Sequence, residues 1–67
     1  MSKKIEYALC NSEEEAKERA LQDTTLETYE AAFFTYTDVA SRGAKVSMYK
    51  TTIDGDTVTA ELLHASQ

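Results

Sequence analysis

The 67-residue chain contains no proline and no tryptophan, only two glycines, and a single cysteine and a single histidine. One cysteine cannot form a disulfide within the chain, and one cysteine with one histidine cannot build a structural zinc site. Two isolated glycines cannot form a glycine-rich phosphate loop or a dinucleotide-binding fingerprint. The sequence therefore predicts a protein that is not an enzyme and binds no metal or cofactor.

Long apolar runs and basic residues are also scarce. No segment approaches the roughly 18 apolar residues that cross a bilayer, and seven Lys and Arg face twelve Asp and Glu, for a net charge of −5. An acidic surface does not attract nucleic-acid phosphates or anionic lipids. We therefore expect no direct contact with nucleic acid or membrane, and a protein partner with a basic surface. The lack of disulfides favours a cytoplasmic location.

The length fits a single domain over residues 1–67, with residues 64–67 as a frayed tail. A chain of this size buries little apolar surface, and its own core supplies only ~3–5 kcal/mol of stability. We therefore expect a homodimer or a larger homo-oligomer.

The first third of the chain predicts a strand followed by a helix. Residues 4–10 alternate between apolar and polar types, which is typical of a half-buried strand. Ser12 followed by Glu15 is a capping box, which predicts that a helix begins at residue 13 and continues to about 22. Cys10 is expected to be a buried, inert side chain. The strand face predicted to point toward the core contains Ile5, Tyr7 and Leu9.

The middle of the chain supports two interpretations. Thr24 and Glu27 repeat the capping-box spacing, and Gly43 is typical of a left-handed cap just beyond a helix, so a second helix is predicted over 26–41. Its apolar stripe contains Leu26, Tyr29, Phe33, Tyr36 and Ala40. The same region is rich in strong strand formers, and a strand over 32–40 is the alternative.

The last third predicts a β-hairpin. Residues 45–53 and 57–63 alternate in type and flank Asp54-Gly55-Asp56, where Asp-Gly is a strong hairpin signal with a left-handed glycine. The sequence thus predicts an α+β fold in the order β-α-α-β-β, with a three-stranded antiparallel-type sheet and two helices on one face. The alternative order is β-α-β-β-β. The predicted core contains Ile5, Tyr7, Leu9, Leu21, Leu26, Tyr29, Phe33, Tyr36, Val46, Met48, Val58, Ala60 and Leu62.

One face of the predicted second helix combines acidic residues with an aromatic residue outside the apolar stripe. Four acidic residues and Phe34, between Asp23 and Asp38, follow one another at spacings of 4, 3, 4 and 4. These spacings place them on one helical face. An exposed aromatic side chain with a charged rim is typical of an interface anchor. The alternative is that Phe34 packs into the core and the acids are merely solvated. The predicted partner-binding residues are Asp23, Glu27, Glu30, Phe34 and Asp38.

These features favour a small acidic interaction protein that binds and modulates another protein. Stand-alone chains of this size without motifs are typical of phage-encoded or accessory bacterial factors, which is an argument by analogy. One alternative is an acidic nucleic-acid mimic that inhibits a nucleic-acid-binding protein. Another is a small-molecule-binding homo-oligomer, in which aromatic residues stack on a ligand instead of forming the core. Those residues are Tyr7, Tyr29, Phe33, Tyr36 and Tyr49.

Overall fold

The computed structural model describes residues 3–66, which form two helices and three strands in the order β-α-α-β-β. The elements are β1 (Lys3–Cys10), α1 (Glu13–Leu21), α2 (Tyr29–Ser41), β2 (Ser47–Asp54) and β3 (Thr57–Ala65). The strands form one antiparallel sheet with the spatial order β1-β2-β3. The predicted α+β class and element order are confirmed. The alternative order β-α-β-β-β is wrong, because residues 32–40 are helical.

The two helices lie on opposite faces of this sheet. Ala16 of α1 packs against Ala8 of β1, whereas the ring of Tyr7 meets the ring of Tyr29 of α2 edge-on at 5.7 Å. Adjacent residues of a strand point to opposite faces, so Ala8 and Tyr7 assign one helix to each face. No Cα of α1 comes within contact distance of α2 among the described residues. The prediction that both helices share one face is therefore wrong.

The segment between the helices carries the chain around the outer edge of β1. The backbone N–H and C=O of Leu26 bond to the C=O and N–H of Tyr7, at 2.8 and 2.9 Å. The hydroxyl of Thr25 donates to the buried carboxylate of Glu6. These contacts fix the crossing at the edge strand. Helical periodicity cannot reveal such a crossing, because it describes each helix separately.

The buried side chains of β1 are on the face opposite to the predicted one. Glu6, Ala8 and Cys10 are buried, whereas Ile5 is 41% exposed and its predicted companions Tyr7 and Leu9 are half-buried. The buried residues of α1 are Ala16 and Ala20. Alanine side chains let a helix approach a sheet closely, so the small side chains of β1 are the ones that become covered.

The remaining core residues are mostly small. Met48 and Val46 are buried as predicted, and Met48 and Thr51 are the largest fully buried side chains. Leu26, Tyr36, Val58 and Ala60 are half-buried. Four other predicted core residues are exposed, namely Leu21, Tyr29, Phe33 and Leu62. The described chain thus leaves many of its largest apolar side chains accessible.

Helix α1 begins as its capping box predicts. The Ser12 Oγ accepts a hydrogen bond from the N–H of Glu15 at 3.1 Å, and the Glu15 carboxylate accepts one from the N–H of Asn11 at 3.2 Å. The Asn11 bond and the neighbouring guanidinium of Arg19 lower the pKa of the Glu15 carboxyl below its usual 4.5. The charged form of Glu15 therefore stabilises the folded state.

The boundary between the helices differs from the predicted one. Thr24 does not cap α2, since its N–H donates to the carbonyl of Arg19 at 3.0 Å and closes α1. Asp23 adopts a left-handed φ of 58° at that point, as in a Schellman motif. The cap of α2 is Thr28, whose hydroxyl accepts from the N–H of Ala31 at 3.2 Å. The second helix consequently starts at Tyr29 instead of residue 26.

The C-terminal half contains the predicted turns and an unexpected ordered end. Gly43 after α2 has φ 87°, and Gly55 in the β2–β3 turn has φ 64°, both left-handed as predicted. His64 belongs to β3, and the N–H of Ser66 donates to the carbonyl of Val46 at 2.8 Å. The predicted frayed tail is therefore wrong for residues 64–66, and Gln67 lies outside the described residues.

Replacing Gly55 with valine should lower the free energy of unfolding by about 1–2 kcal/mol, because a β-branched residue is strained at positive φ. A Cβ at Gly55 would meet no atom within 4 Å, so the backbone alone determines the effect. Urea unfolding of Gly55→Val and Gly55→Asn tests this, since asparagine tolerates positive φ better. Equal midpoints for all three proteins would contradict it.

The Glu15 cap predicts a pH-dependent stability. Because its pKa is lower in the folded state, the charged carboxylate contributes stability above its unfolded pKa, and this is lost as the pH falls through the folded pKa. Wild type should be more stable than Glu15→Gln at pH 7, and the difference should begin to shrink near the usual pKa of 4.5 and vanish only below the lowered pKa of the folded state. Denaturant unfolding across this range measures it. Glu14→Gln, at an exposed neighbouring position, should show a smaller pH-dependent difference.

Candidate functional site

Helix α2 presents aromatic residues both toward the sheet and toward solvent. On the sheet side, the rings of Tyr29 and Phe33 stack with centroids 5.8 Å apart, and Phe33 and Tyr36 stack at 6.2 Å. Tyr7 of β1 joins this group through its contact with Tyr29. Four of the five aromatic residues considered for ligand stacking are thus brought together, whereas Tyr49 packs with Ala8 on the opposite face.

His64 occupies the centre of this group. Its ring centroid lies 5.3 Å from that of Phe33 and 5.6 Å from that of Tyr36. The hydroxyl oxygen of Tyr29 lies 3.0 Å from the Nε2 of His64, within hydrogen-bond distance. Tyr7, Tyr29, Phe33, Tyr36 and His64 together are called the aromatic cluster below. Together with the buried Ala32, these rings attach α2 to the sheet.

A β-bulge explains why His64 reaches this face. Tyr49 of β2 pairs with Leu62, whereas the preceding Met48 pairs with His64, so Leu63 is an extra residue in β3. Strict alternation would place His64 on the same face as Leu62, which is the face of α1. The extra residue shifts the alternation and turns His64 toward α2. Sequence periodicity missed this site because it assumed regular alternation and a frayed end.

The predicted partner-binding residues are divided by the structure. Glu30, Phe34 and Asp38 lie on α2 at successive intervals of four, on one exposed face. Asp23 instead terminates α1, where its carboxylate accepts a hydrogen bond from Lys4 Nζ at 3.1 Å. Glu27 is exposed in the connection before α2. The shared helical face of five residues is therefore reduced to three, because α2 begins at Tyr29.

Phe34 is the most exposed large apolar side chain of the described residues, at 76%. It does not pack against α1 or the sheet, which was the alternative interpretation. Asp38, one turn further along, forms an ion pair with Arg42 at 3.0 Å. Glu30, Phe34, Asp38 and Arg42 are called the Phe34 face below. An apolar ring flanked by two carboxylates and one paired guanidinium can dock into an apolar site with a charged border.

The acidic residues of α1 are partly neutralised within the helix. Glu13 pairs with Lys17 at 3.3 Å, and Glu15 pairs with Arg19 at 3.2 Å. Both are exposed pairs four residues apart, which contribute little to stability because water and salt screen them. They nevertheless hold the basic side chains over the acidic ones. The surface of α1 is therefore a mixture of acidic and basic groups instead of a uniformly acidic patch.

Cys10 is buried, as predicted, and has no disulfide partner. Burial raises the pKa of its thiol, and the nearby Glu15 charge adds to this effect. A thiol in this environment forms little of the reactive thiolate at neutral pH.

The described residues contain no group of His, Cys, Asp and Glu side chains arranged to hold a metal ion. Their surface has no detectable pocket. Neither helix has the length and apolar character required to cross a membrane.

The aromatic cluster predicts a measurable role for His64 in holding α2. His64→Ala should lower the free energy of unfolding by about 1–2 kcal/mol, since it removes ring contacts and leaves the Tyr29 hydroxyl without this partner. Tyr29→Phe removes only the hydroxyl and should lower it by no more than about 1 kcal/mol. Chemical denaturation measures both effects. Hydrogen exchange in α2 should accelerate more than in α1, and uniform acceleration would contradict this assignment.

Two surfaces of α2 therefore stand out. The aromatic cluster is engaged with the sheet, whereas Phe34 on the other side is 76% exposed. Comparison of the chain with protein-family models, with curated proteins and with solved structures finds no match.

Proposed function

We propose that this chain is a small, acidic, non-enzymatic interaction protein that binds and modulates another protein through the Phe34 face of α2. The observation that supports it is the 76% exposure of Phe34 on a helix whose other aromatic residues contact one another and the sheet. Large aromatic side chains with a charged rim are characteristic of interface anchors. Covering Phe34 would contribute about 1.5–3 kcal/mol to binding.

The helix behind Phe34 is suited to present it. Ala32, on the side toward the sheet, is completely buried, and Tyr29 bonds to His64 of β3. These contacts attach α2 to the sheet on the side opposite Phe34. A helix that is already folded and held in one orientation loses little conformational entropy on binding, which favours affinity.

The charges of the Phe34 face favour a partner with a basic surface. Glu30 lies one turn before Phe34, and Asp38, which is paired with Arg42, lies one turn after it, within a chain of net charge −5. Rim charges of this kind mainly accelerate association with an oppositely charged partner and are screened by salt. Binding through the Phe34 face should therefore weaken as ionic strength rises.

This proposal has more support than the two alternatives. A nucleic-acid mimic needs a uniformly acidic surface, whereas α1 has Lys17 and Arg19 paired with Glu13 and Glu15. A ligand-stacking site needs open ring faces, and the aromatic cluster already stacks on itself and on His64. An accessory or phage-encoded factor in the reducing cytoplasm is consistent with the unpaired Cys10.

Phe34→Ala should abolish partner binding while changing the thermal midpoint little, because the side chain is mostly solvated. The binding measurement is affinity capture from lysate of the organism that encodes the chain, with mass spectrometry, in low and high salt. Leu21→Ala is the matched control, since Leu21 is an exposed apolar residue of α1 at 68%. A photo-reactive phenylalanine analogue at position 34 should crosslink to the same captured protein.

Partner recovery that is equal for wild type, Phe34→Ala and Leu21→Ala would refute the proposal. A stability loss of ~3 kcal/mol or more in Phe34→Ala would also refute it, because that is the size of effect produced by truncating a core phenylalanine.

A further inference from the structure

The two edges of the sheet are protected very differently. The outer edge of β1 is covered in part by the connection between the helices, through the backbone pair of Tyr7 and Leu26. The same strand begins with Lys3 and Lys4. Lysines and a covering segment are two of the devices by which proteins prevent edge strands from pairing with other chains.

The outer edge of β3 has neither device. No segment of residues 3–66 pairs with this edge, and Thr57–Ala65 contains no lysine and no proline. Residues 57–62 precede the bulge at Leu63 and pair regularly with β2. They form an uninterrupted run of six residues with a free edge, which is long enough to accept another strand.

The side chains next to this edge are apolar on the face that carries α1. Ala60 packs against the Ala8, Cys10 and Ala16 cluster. Val58 and Leu62 point to the same face as Ala60, and Leu62 is 52% exposed. On the opposite face, Glu61 is the one charged side chain of this run.

We propose that β3 pairs antiparallel with β3 of a second copy of this chain, so that two three-stranded sheets join into one continuous sheet. A strand added at a free edge gains main-chain hydrogen bonds along its length, and its side-chain pairs determine the register. The surface differs from the Phe34 face, so this inference does not depend on the proposed function.

The charge and the apolar side chains favour one register. A twofold axis through Ala60 places Val58 opposite Leu62 of the second copy, and Thr59 opposite Glu61. A twofold axis through Glu61 would place two carboxylates directly opposite each other, which destabilises a strand pair. The pairing centred on Ala60 therefore joins the exposed leucine to an apolar neighbour without a like-charge contact. The bulge at Leu63 ends this strand pairing.

The two surfaces should respond to salt in opposite directions. Each copy has a net charge of −5, so the copies repel each other and added salt should strengthen the dimer. Binding of a basic partner at the Phe34 face should weaken under the same conditions. This difference separates the two proposals experimentally.

Sedimentation equilibrium of the full chain across micromolar to millimolar concentration tests the inference. Wild type should shift from 7.5 kDa to twice that mass, at lower concentration in higher salt. Leu62→Lys should weaken self-association at least tenfold, because lysine opposes pairing at an edge. Ala31→Lys carries the same charge change on an exposed position of α2 and should dimerise at least as well as wild type. Phe34→Ala should also dimerise normally.

Hydrogen exchange adds a readout that locates the interface. In wild type, amides within residues 57–62 should exchange more slowly as the dimer forms, and this protection should be absent in Leu62→Lys. The thermal midpoint and circular dichroism of dilute Leu62→Lys establish that it is folded. A wild-type protein that remains at 7.5 kDa throughout, or a dimer that Leu62→Lys leaves unchanged, would overturn the inference.

Discussion

The backbone pair between Tyr7 and Leu26 is the constraint on which the rest of this structure depends. It holds the segment between the helices against the edge of β1, and the hydrogen bond from Thr25 to the buried Glu6 carboxylate reinforces it. Lys4 adds a third contact through its ion pairs with Glu6 and Asp23. Because the chain crosses the sheet edge here, α1 and α2 cover opposite faces. The same crossing determines on which side of the sheet the Phe34 face lies.

The two faces of the sheet are covered by different chemistry. Helix α1 approaches through Ala16 and Ala20 over small side chains, and it contacts all three strands. Helix α2 approaches through tyrosine and phenylalanine rings around His64. Small residues permit close packing, whereas rings require more space and direct their polar atoms to the edge of the layer. Tyr29 and Phe33 consequently remain 42% and 38% exposed although they contact the sheet layer.

The sequence predicted the features that depend on neighbouring residues. The Ser12 cap, the left-handed Gly43 and Gly55, and the two-strand hairpin are confirmed because a few adjacent side chains determine them. Phe34 was also found at an exposed position. Its proposed rim was only partly assembled, because Asp23 and Glu27 lie before α2 begins.

The sequence did not predict the features that depend on residues far apart in the chain. The buried face of β1 is determined by the alanines of α1, which override the apolar alternation of Ile5, Tyr7 and Leu9. The choice between Thr24 and Thr28 as a cap depends on where α1 closes. His64 joined the aromatic cluster through a bulge that a single sequence does not reveal.

The unequal attachment of the helices has a further consequence. The backbone of α1 lies close to all three strands, whereas the backbone of α2 lies close to β1 and β2 and reaches β3 only through its side-chain contacts with His64. Elements with fewer tertiary contacts open at lower free energy than the remainder of a fold. Detachment of α2 from the sheet should thus cost less free energy than detachment of α1, and a ligand bound to the outer surface of the attached helix would oppose this opening by mass action.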